Sequence, residues 1–340
     1  MKMIKKIAFT LLALVFLFLV LFFYSINTHV SIGRFEEWYA TPSLGTPAGP
    51  VKVQFVGVST LLISDGTTTL MTDGFFTRPS AMELIFGKIT PSMETVKWGI
   101  KRLGIEHLDA IFVVHSHFDH AMDAPLVAQL TGAPMYGSES TANIGRGLHL
   151  QENQIRLFEA GKSIQAGAFK VTPLLSKHYE FANVRIREKT LEGKQDITEA
   201  LVPPVKATDY KMGGAYTLLF EHPRGSFVLQ SSAGWKENSL ADIQTDVVIM
   251  GIGGLGAQTE AYQATYFKEI VDQLGAKQAY LIHWDALVGS IQKPIQGEVL
   301  LIDKLMGKTI KGFEAVEREA AKRPHLKVNL LPQWDPVILF

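Results

Sequence analysis

Three imidazoles and a carboxylate fall within six residues, His115-Ser116-His117-Phe118-Asp119-His120, directly after the apolar run AIFVV at 110–114. No other feature narrows the fold as much. Only 10 of the 340 residues are histidine, so chance does not account for the clustering. In an extended segment, side chains two positions apart point the same way, which lets His115 and His117 meet one cation. Where the chain then turns toward a helix, Asp119 and His120 can be directed at a second cation beside the first. The chain contains no cysteine. That excludes a disulfide framework, a thiol nucleophile, a zinc finger and an iron–sulfur site, and leaves histidine and carboxylate to hold any metal. Basic and acidic residues balance at 33 each, which argues against a nucleic-acid partner.

The N-terminus reads as a membrane segment. Lys2, Lys5 and Lys6 precede an apolar run over 7–24 that is broken only by Thr10. Eighteen helical residues rise about 27 Å, close to the thickness of a bilayer's hydrocarbon core. The exit Phe23-Tyr24-Ser25-Ile26-Asn27 lacks the small-residue pair of a signal-peptidase site. An uncleaved signal anchor is therefore preferred to a secreted, cleaved form. The lysines place the remainder outside the cytoplasm, as a single-pass protein of the cell membrane. Residues 1–30 are read as the anchor, 31–50 as a linker (TPSLGTPAGP covers 41–50) and 51–340 as the folded domain.

Beyond residue 50, VKVQFVGV, TLLISD and TTLMTD predict antiparallel hairpins. Residues 80–103 and 124–130 read as helical, with Pro91 starting or kinking a segment. MYGS, FKVTPLL, AYTLLFEH, SFVLQSS, DVVIM, AYLIH and KVNLL are further strands, and helices are expected near 259–274 and 311–321. The stretch 179–211 is charged and broken by prolines, and reads as an insertion or lid. Two β-rich halves, each with helices, indicate an α/β architecture with mixed sheets.

The H-x-H-x-D-H segment after a strand resembles the metallo-β-lactamase superfamily, over most of the chain beyond residue 50. The resemblance implies a four-layer αββα sandwich with the metal site at one edge between the sheets. It also implies that Asp73 supports the metal loop by hydrogen bonding. His178, after FKVTPLL, is similar to the family's third histidine of one site, and His283, ending AYLIH, to the late histidine of the other. His283-Trp284-Asp285 resembles the phospholipase-D-like and lactonase-like branches. One departure stands out: Ser232, in FVLQSSAG, falls where the family places a metal-bridging aspartate.

The function implied is that of a metal-dependent hydrolase. His115, His117 and His178 would hold one zinc, leaving a position for water, while Asp119, His120 and His283 would hold a second ion; other divalent metals also suit these ligands. With one ion only, Asp119 is free to act as general base. The expected bond is a phosphodiester, ester or lactone, in a small-molecule substrate or, given the anchor, a lipid-like one. Ser232 keeps a second reading open, a weakly active or non-catalytic metal-binding protein of the same fold. Gly251-Ile252-Gly253-Gly254-Leu255-Gly256 fits G-x-G-x-x-G, but the acidic partner of a dinucleotide site is missing at the right distance. Close passage of the backbone by the site rim explains these glycines better. Asp123 reads as the cap of the helix at Ala124-Pro125 rather than as a brace for the loop after His120. Tyr179, Phe181, Trp235 and Trp284 flank the ligand strands as core or as cleft lining. His29 reads as interfacial, and His107, His149, His222 and His325 as ordinary surface or core residues.

Overall fold

Short β-branched and aromatic runs alternate in two faces here, and both faces are buried. The computed structural model describes residues 2–45, 49–181, 184–190 and 195–340. In chain order the strands are β1 (Lys52–Gly57), β2 (Thr60–Ser64), β3 (Thr69–Thr72), β4 (Ala110–Phe112), β5 (Met135–Gly137), β6 (Ile155–Leu157) and β7 (Ile164–Ala166). Then follow β8 (Phe169–Ser176), β9 (Ala215–His222), β10 (Gly225–Gln230), β11 (Val247–Gly251), β12 (Gln278–Ile282), β13 (Lys327–Leu330) and β14 (Pro336–Ile338). One seven-stranded sheet has the order β14-β1-β2-β3-β4-β5-β6, the other β13-β12-β11-β10-β9-β8-β7. The hairpins β1–β2 and β2–β3 are antiparallel, while β3 to β6 run parallel.

The pleat sorts the side chains into layers. Leu61 and Ile63 of β2, Ala110 and Phe112 of β4, and Phe227 and Leu229 of β10 meet between the sheets. Their alternates Leu62 and Ile111 turn outward to the helices Met93–Leu103, Ala124–Thr131 and Glu139–Gly147. On the second sheet Val228, Val248 and Leu281 turn outward to Tyr266, Phe267, Phe313 and Val316 of the opposite helical layer. Three apolar interfaces thus separate four layers in the order α, β, β, α. Residues 80–103 form two helices, Ala81–Phe86 and Met93–Leu103, each capped by a serine hydroxyl, Ser80 and Ser92. Pro91 lies in the break between them.

The helix Lys2–Asn27 is long and apolar enough to cross a membrane. The chain after it differs from a free tether. Gly33–Trp38 forms a 3-10 turn whose buried Phe35 stacks on Phe313 at 4.7 Å between ring centroids, and Ala40 N donates to Leu330 O at 2.8 Å. The apolar residues Ile32 and Phe35 drive this docking, and within the Pro/Gly-rich part Ser43 N donates to Pro336 O at 2.7 Å and Gly49 N to Asp65 O at 2.9 Å. Within that part, residues 46–48 lie outside the described residues. The expected lid is partly described: Val184–Thr190 is helical, and Ile197 and Tyr210 are buried in the outer core of the first sheet. Residues 182–183 and 191–194 of that stretch lie outside the described residues.

Candidate metal centre

β4 carries the chain to the sheet edge, where the ladder stops and the histidine segment begins. His117 is extended, and the single helical turn Phe118–Ala121 swings Asp119 and His120 inward. His178 follows β8 and His283 follows β12. The structure brings all six nominated ligands into two groups, His115 with His117 and His178, and Asp119 with His120 and His283. Within each group one ligand atom per residue lies within 4.8 Å of the others. The groups adjoin, with the His115 and His120 rings 3.8 Å apart and the His120 and His283 rings 5.2 Å apart. Asp119 Oδ2 stands 3.3 Å from His283 Nε2 and 3.5 Å from His120 Nε2.

The donor chemistry fits a divalent cation. Nε2 of His115 and Nε2 of His120 are buried and take no hydrogen bond. A buried polar nitrogen left in this state is expensive without a partner, and a metal supplies one. Burial, reinforced by the surrounding imidazoles, pushes the His115 and His178 pKa well below the ordinary histidine value. Neutral rings keep a lone pair to give. Burial lowers that of His120 too, but the Asp119 and Asp73 carboxylates raise it more. Burial would lift the Asp119 carboxyl, yet His120 and the His283 hydrogen bond hold it far below its usual range.

The His120 and His178 rings are oriented from behind. Nδ1 of His120 donates to Asp73 Oδ2 at 2.8 Å, and the same carboxylate accepts from Ser59 Oγ and, through Oδ1, from Val114 N at 2.9 Å. Nδ1 of His178 donates to Tyr179 O at 2.8 Å. A proton held at Nδ1 leaves Nε2 as the inward lone pair. Tyr179 N in turn donates to Ser232 Oγ at 3.1 Å, so Ser232 fastens the backbone that carries His178. His283 N donates to Val58 O at 2.8 Å. The glycine-rich stretch lies against this strand end: a Cβ at Gly253 would sit 2.6 Å from His283 Nδ1, which explains the glycine without a nucleotide.

Some supports escaped the sequence reading. Ser59 carries no motif. Arg78 and Asp285 form a buried ion pair at 3.3 Å, and Asp285 also accepts from Val58 N. Asp123 stands at the start of the helix Ala124–Thr131, but its side chain makes no cap there. It instead accepts from Phe76 N, Thr77 N and Thr77 Oγ1, bracing the segment after β3, and burial pushes its pKa up to about 6. Of the four aromatics, Tyr179 and Phe181 line the cavity over the ligands, whereas Trp284 packs on Phe313 and Trp235 on Tyr262. That cavity has a volume of about 300 Å³ and is walled mostly by apolar side chains, among them Leu84, Ile85, Ile302, Leu305 and Met306. His107 pairs with Asp109 and His222 with Asp65, outside both groups.

Residues 53–206 match the model of the metallo-beta-lactamase superfamily. No curated protein sequence matches the chain. Among solved structures, the chain is similar to Igni18, a metallo hydrolase from the archaeon Ignicoccus hospitalis, at 14% identity and a TM-score of 0.50, covering 85% of this chain and 98% of that one. It is also similar to a variant of CmlA, a beta-hydroxylase from Streptomyces venezuelae, at 13% identity and a TM-score of 0.50, covering 86% of this chain and 55% of that one. These likenesses are of fold. The matched segment thus carries the sequence pattern of the metallo-beta-lactamase superfamily, and the four layers that enclose it share that superfamily's fold.

Proposed function

We propose that this protein is a membrane-anchored, metal-dependent hydrolase that cleaves a phosphodiester, ester or lactone bond, with zinc as the ion. The observation that carries the reading is the pair of three-ligand groups, of which His117, His178, Asp119 and His283 line one apolar cavity, with the buried Nε2 atoms of His115 and His120 taking no hydrogen bond. His115, His117 and His178 would hold one ion; Asp119, His120 and His283 would hold a second. A divalent cation held there would lower the pKa of a bound water toward neutrality and polarise the oxygen under attack. Asp73 and the Tyr179 carbonyl fix the imidazole tautomers that present lone pairs. Asp119, kept ionised beside His120 and His283, is placed to orient the water or accept its proton. Tyr179, Phe181 and Leu305 exclude bulk solvent and favour an apolar substituent on the substrate. The folded unit over 51–340 supplies the chemistry, and the helix before it supplies attachment, with the domain on the extracytoplasmic side.

Ser232 favours a second reading, a metal-binding protein with little or no turnover. Its hydroxyl is engaged with Tyr179 N, so the position gives no bridging carboxylate. One experiment separates the two. Full-length protein is assayed for metal content and for hydrolysis of model phosphodiesters, esters and lactones, before and after chelation and on returning zinc. Activity that disappears with the metal and comes back with it supports the hydrolase. Tight metal with no turnover on any of these substrates favours the second reading, and full activity in a metal-free preparation refutes both.

A further inference from the structure

The helix Ala81–Phe86 and the helical segment over Leu300–Ile302 and Asp303–Gly307, which wall the metal cavity, also hold the N-terminal helix. Phe22 and Ile26 pack against Ala81, Leu84, Val299, Ile302 and Met306. Leu84, Ile302 and Met306 line the cavity as well. No slack separates the helix from the domain: Leu300 N donates to Thr28 O and Val30 N to Glu298 O, both at 2.9 Å, and His29 Nδ1 donates to Gly297 O at 2.8 Å. The angle and depth at which the helix leaves the domain are thus set by the fold.

Around this exit the surface is apolar and uncovered. Met82, Ile85, Phe86 and Leu305 are 42%, 38%, 68% and 45% exposed. The Phe86 ring lies 6.2 Å from that of Phe22. Phe22 is two residues, about 3 Å of helix rise, inside the end of the apolar run at Tyr24. A helix that spans the bilayer therefore holds Phe86 level with the boundary between headgroups and acyl chains. Ile85 and Leu305 belong both to this rim and to the cavity wall, so the apolar surface continues from the bilayer to the ligands.

We propose that the rim of Met82, Ile85, Phe86 and Leu305 is seated in the membrane that the N-terminal helix enters, and that the cavity takes its substrate from that membrane, an acyl-chain lipid with the chain along Ile85 and Leu305 and the headgroup bond at the ligands. What happens to the lipid rests on the hydrolase reading; the seating does not. The absence of native cysteine makes the test direct. Full-length Phe86→Cys, Leu305→Cys and, at the far end of β12, Lys277→Cys are labelled with a polarity-sensitive fluorophore and placed in phosphatidylcholine vesicles. Nitroxides on the lipid acyl chains should quench the first two at least threefold more than the third. Quenching at Phe86 no greater than at Lys277, or a rim label buried by a second copy of the chain, overturns the proposal. In parallel, Met82→Asp/Phe86→Asp and the milder Phe86→Ser are assayed on a long-chain ester in vesicles and on its short-chain, soluble analogue. At least a tenfold loss by the double variant on the first, with the second unchanged, is expected, the single variant falling between. Equal effects on both substrates overturn entry from the bilayer. If the unaltered, metal-loaded chain cleaves neither ester, the hydrolase reading fails on these substrates while the quenching still decides the seating.

Discussion

Arg78 and Asp285 offer a measurable link between the fold and the second group of ligands. Both side chains are almost fully buried. Asp285 accepts from Val58 N through both oxygens, at 2.8 and 3.0 Å, while Arg78 donates to Ala286 O at 2.7 Å and lies over the Phe75 ring at 4.4 Å. A Cβ at Gly57 would fall 2.2 Å from Arg78 Nη2, so the turn between β1 and β2 admits the pair only as glycine. Replacing Asp285 by Asn strands a buried guanidinium, for which about 3–5 kcal/mol of stability is lost. At about 2 °C per kcal/mol, suited to a large domain, the melting temperature should fall roughly 6–10 °C. Arg78→Met/Asp285→Asn removes both charges and leaves mainly a weakened contact to Val58 N, worth about 1–3 kcal/mol. The double variant should therefore melt above Asp285→Asn, and the pair should show a coupling of at least about 2 kcal/mol in a thermodynamic cycle read by chemical denaturation. Additive losses would refute the claim that the charges are held for each other. Because Val58 O receives His283 N, Asp285→Asn should also release metal from the Asp119, His120 and His283 group at lower chelator concentration than from the other.

Three further outcomes follow from the same contacts. Asp73→Asn gives up the acceptor for His120 Nδ1, and metal affinity at that group should fall about 10- to 100-fold by chelator competition, with the fold retained. A chain starting at residue 45 lacks Phe35, buried against Phe313, and should be about 3–5 kcal/mol less stable in denaturant than one starting at residue 28. Burial pushes the Glu298 carboxyl up to about 7 from 4.5, against two backbone N–H donors, so the fold favours its protonated form. Its stabilising share is complete below pH 4.5 and is lost as pH rises through about 7, about 3 kcal/mol in all at about 1.4 kcal/mol per pH unit. Glu298→Gln should flatten denaturation free energy over that window, and a Gln curve as steep as the native one would refute it.

What the sequence makes legible is what is local. AIFVV followed by a histidine cluster shows a strand delivering ligands at its end, and the unbroken apolar runs in β2, β10 and β12 announce strands buried on both faces. His178 and His283 can be nominated for the same reason, each closing an apolar strand. The supports are another matter. Asp285 and Val58 are 227 positions apart, and nothing around Asp285 says that its partner is a backbone N–H after Gly57. Asp123 occupies a cap position by every local rule, yet the chain after β3 passes near enough to claim its oxygens. Phe35 reads as part of a tether because its partner, Phe313, arrives almost at the other end of the chain. Strand order is equally hidden: β14 returns to pair with β1, a register that no local pattern specifies.

Backbone conformation ties these supports to the site. Val58, Asp73 and His283 all take positive φ, at 54°, 55° and 56°, where side chains are unfavourable and a β-branched residue especially so. Each such residue costs about 1–3 kcal/mol unless its surroundings impose it. Here they do. Asp285 grips Val58 N, Val58 O grips His283 N, and Asp73 N donates to Phe112 O at 2.9 Å while its side chain holds His120. The three kinks turn the ends of β1, β3 and β12 toward one point, and the buried Arg78–Asp285 pair closes the chain of contacts behind two of them. The strain and the ion pair are then two halves of one arrangement: the pair is tolerated in the core because it fixes a turn that regular strand geometry would not make, and the turn is what puts His283 opposite Asp119.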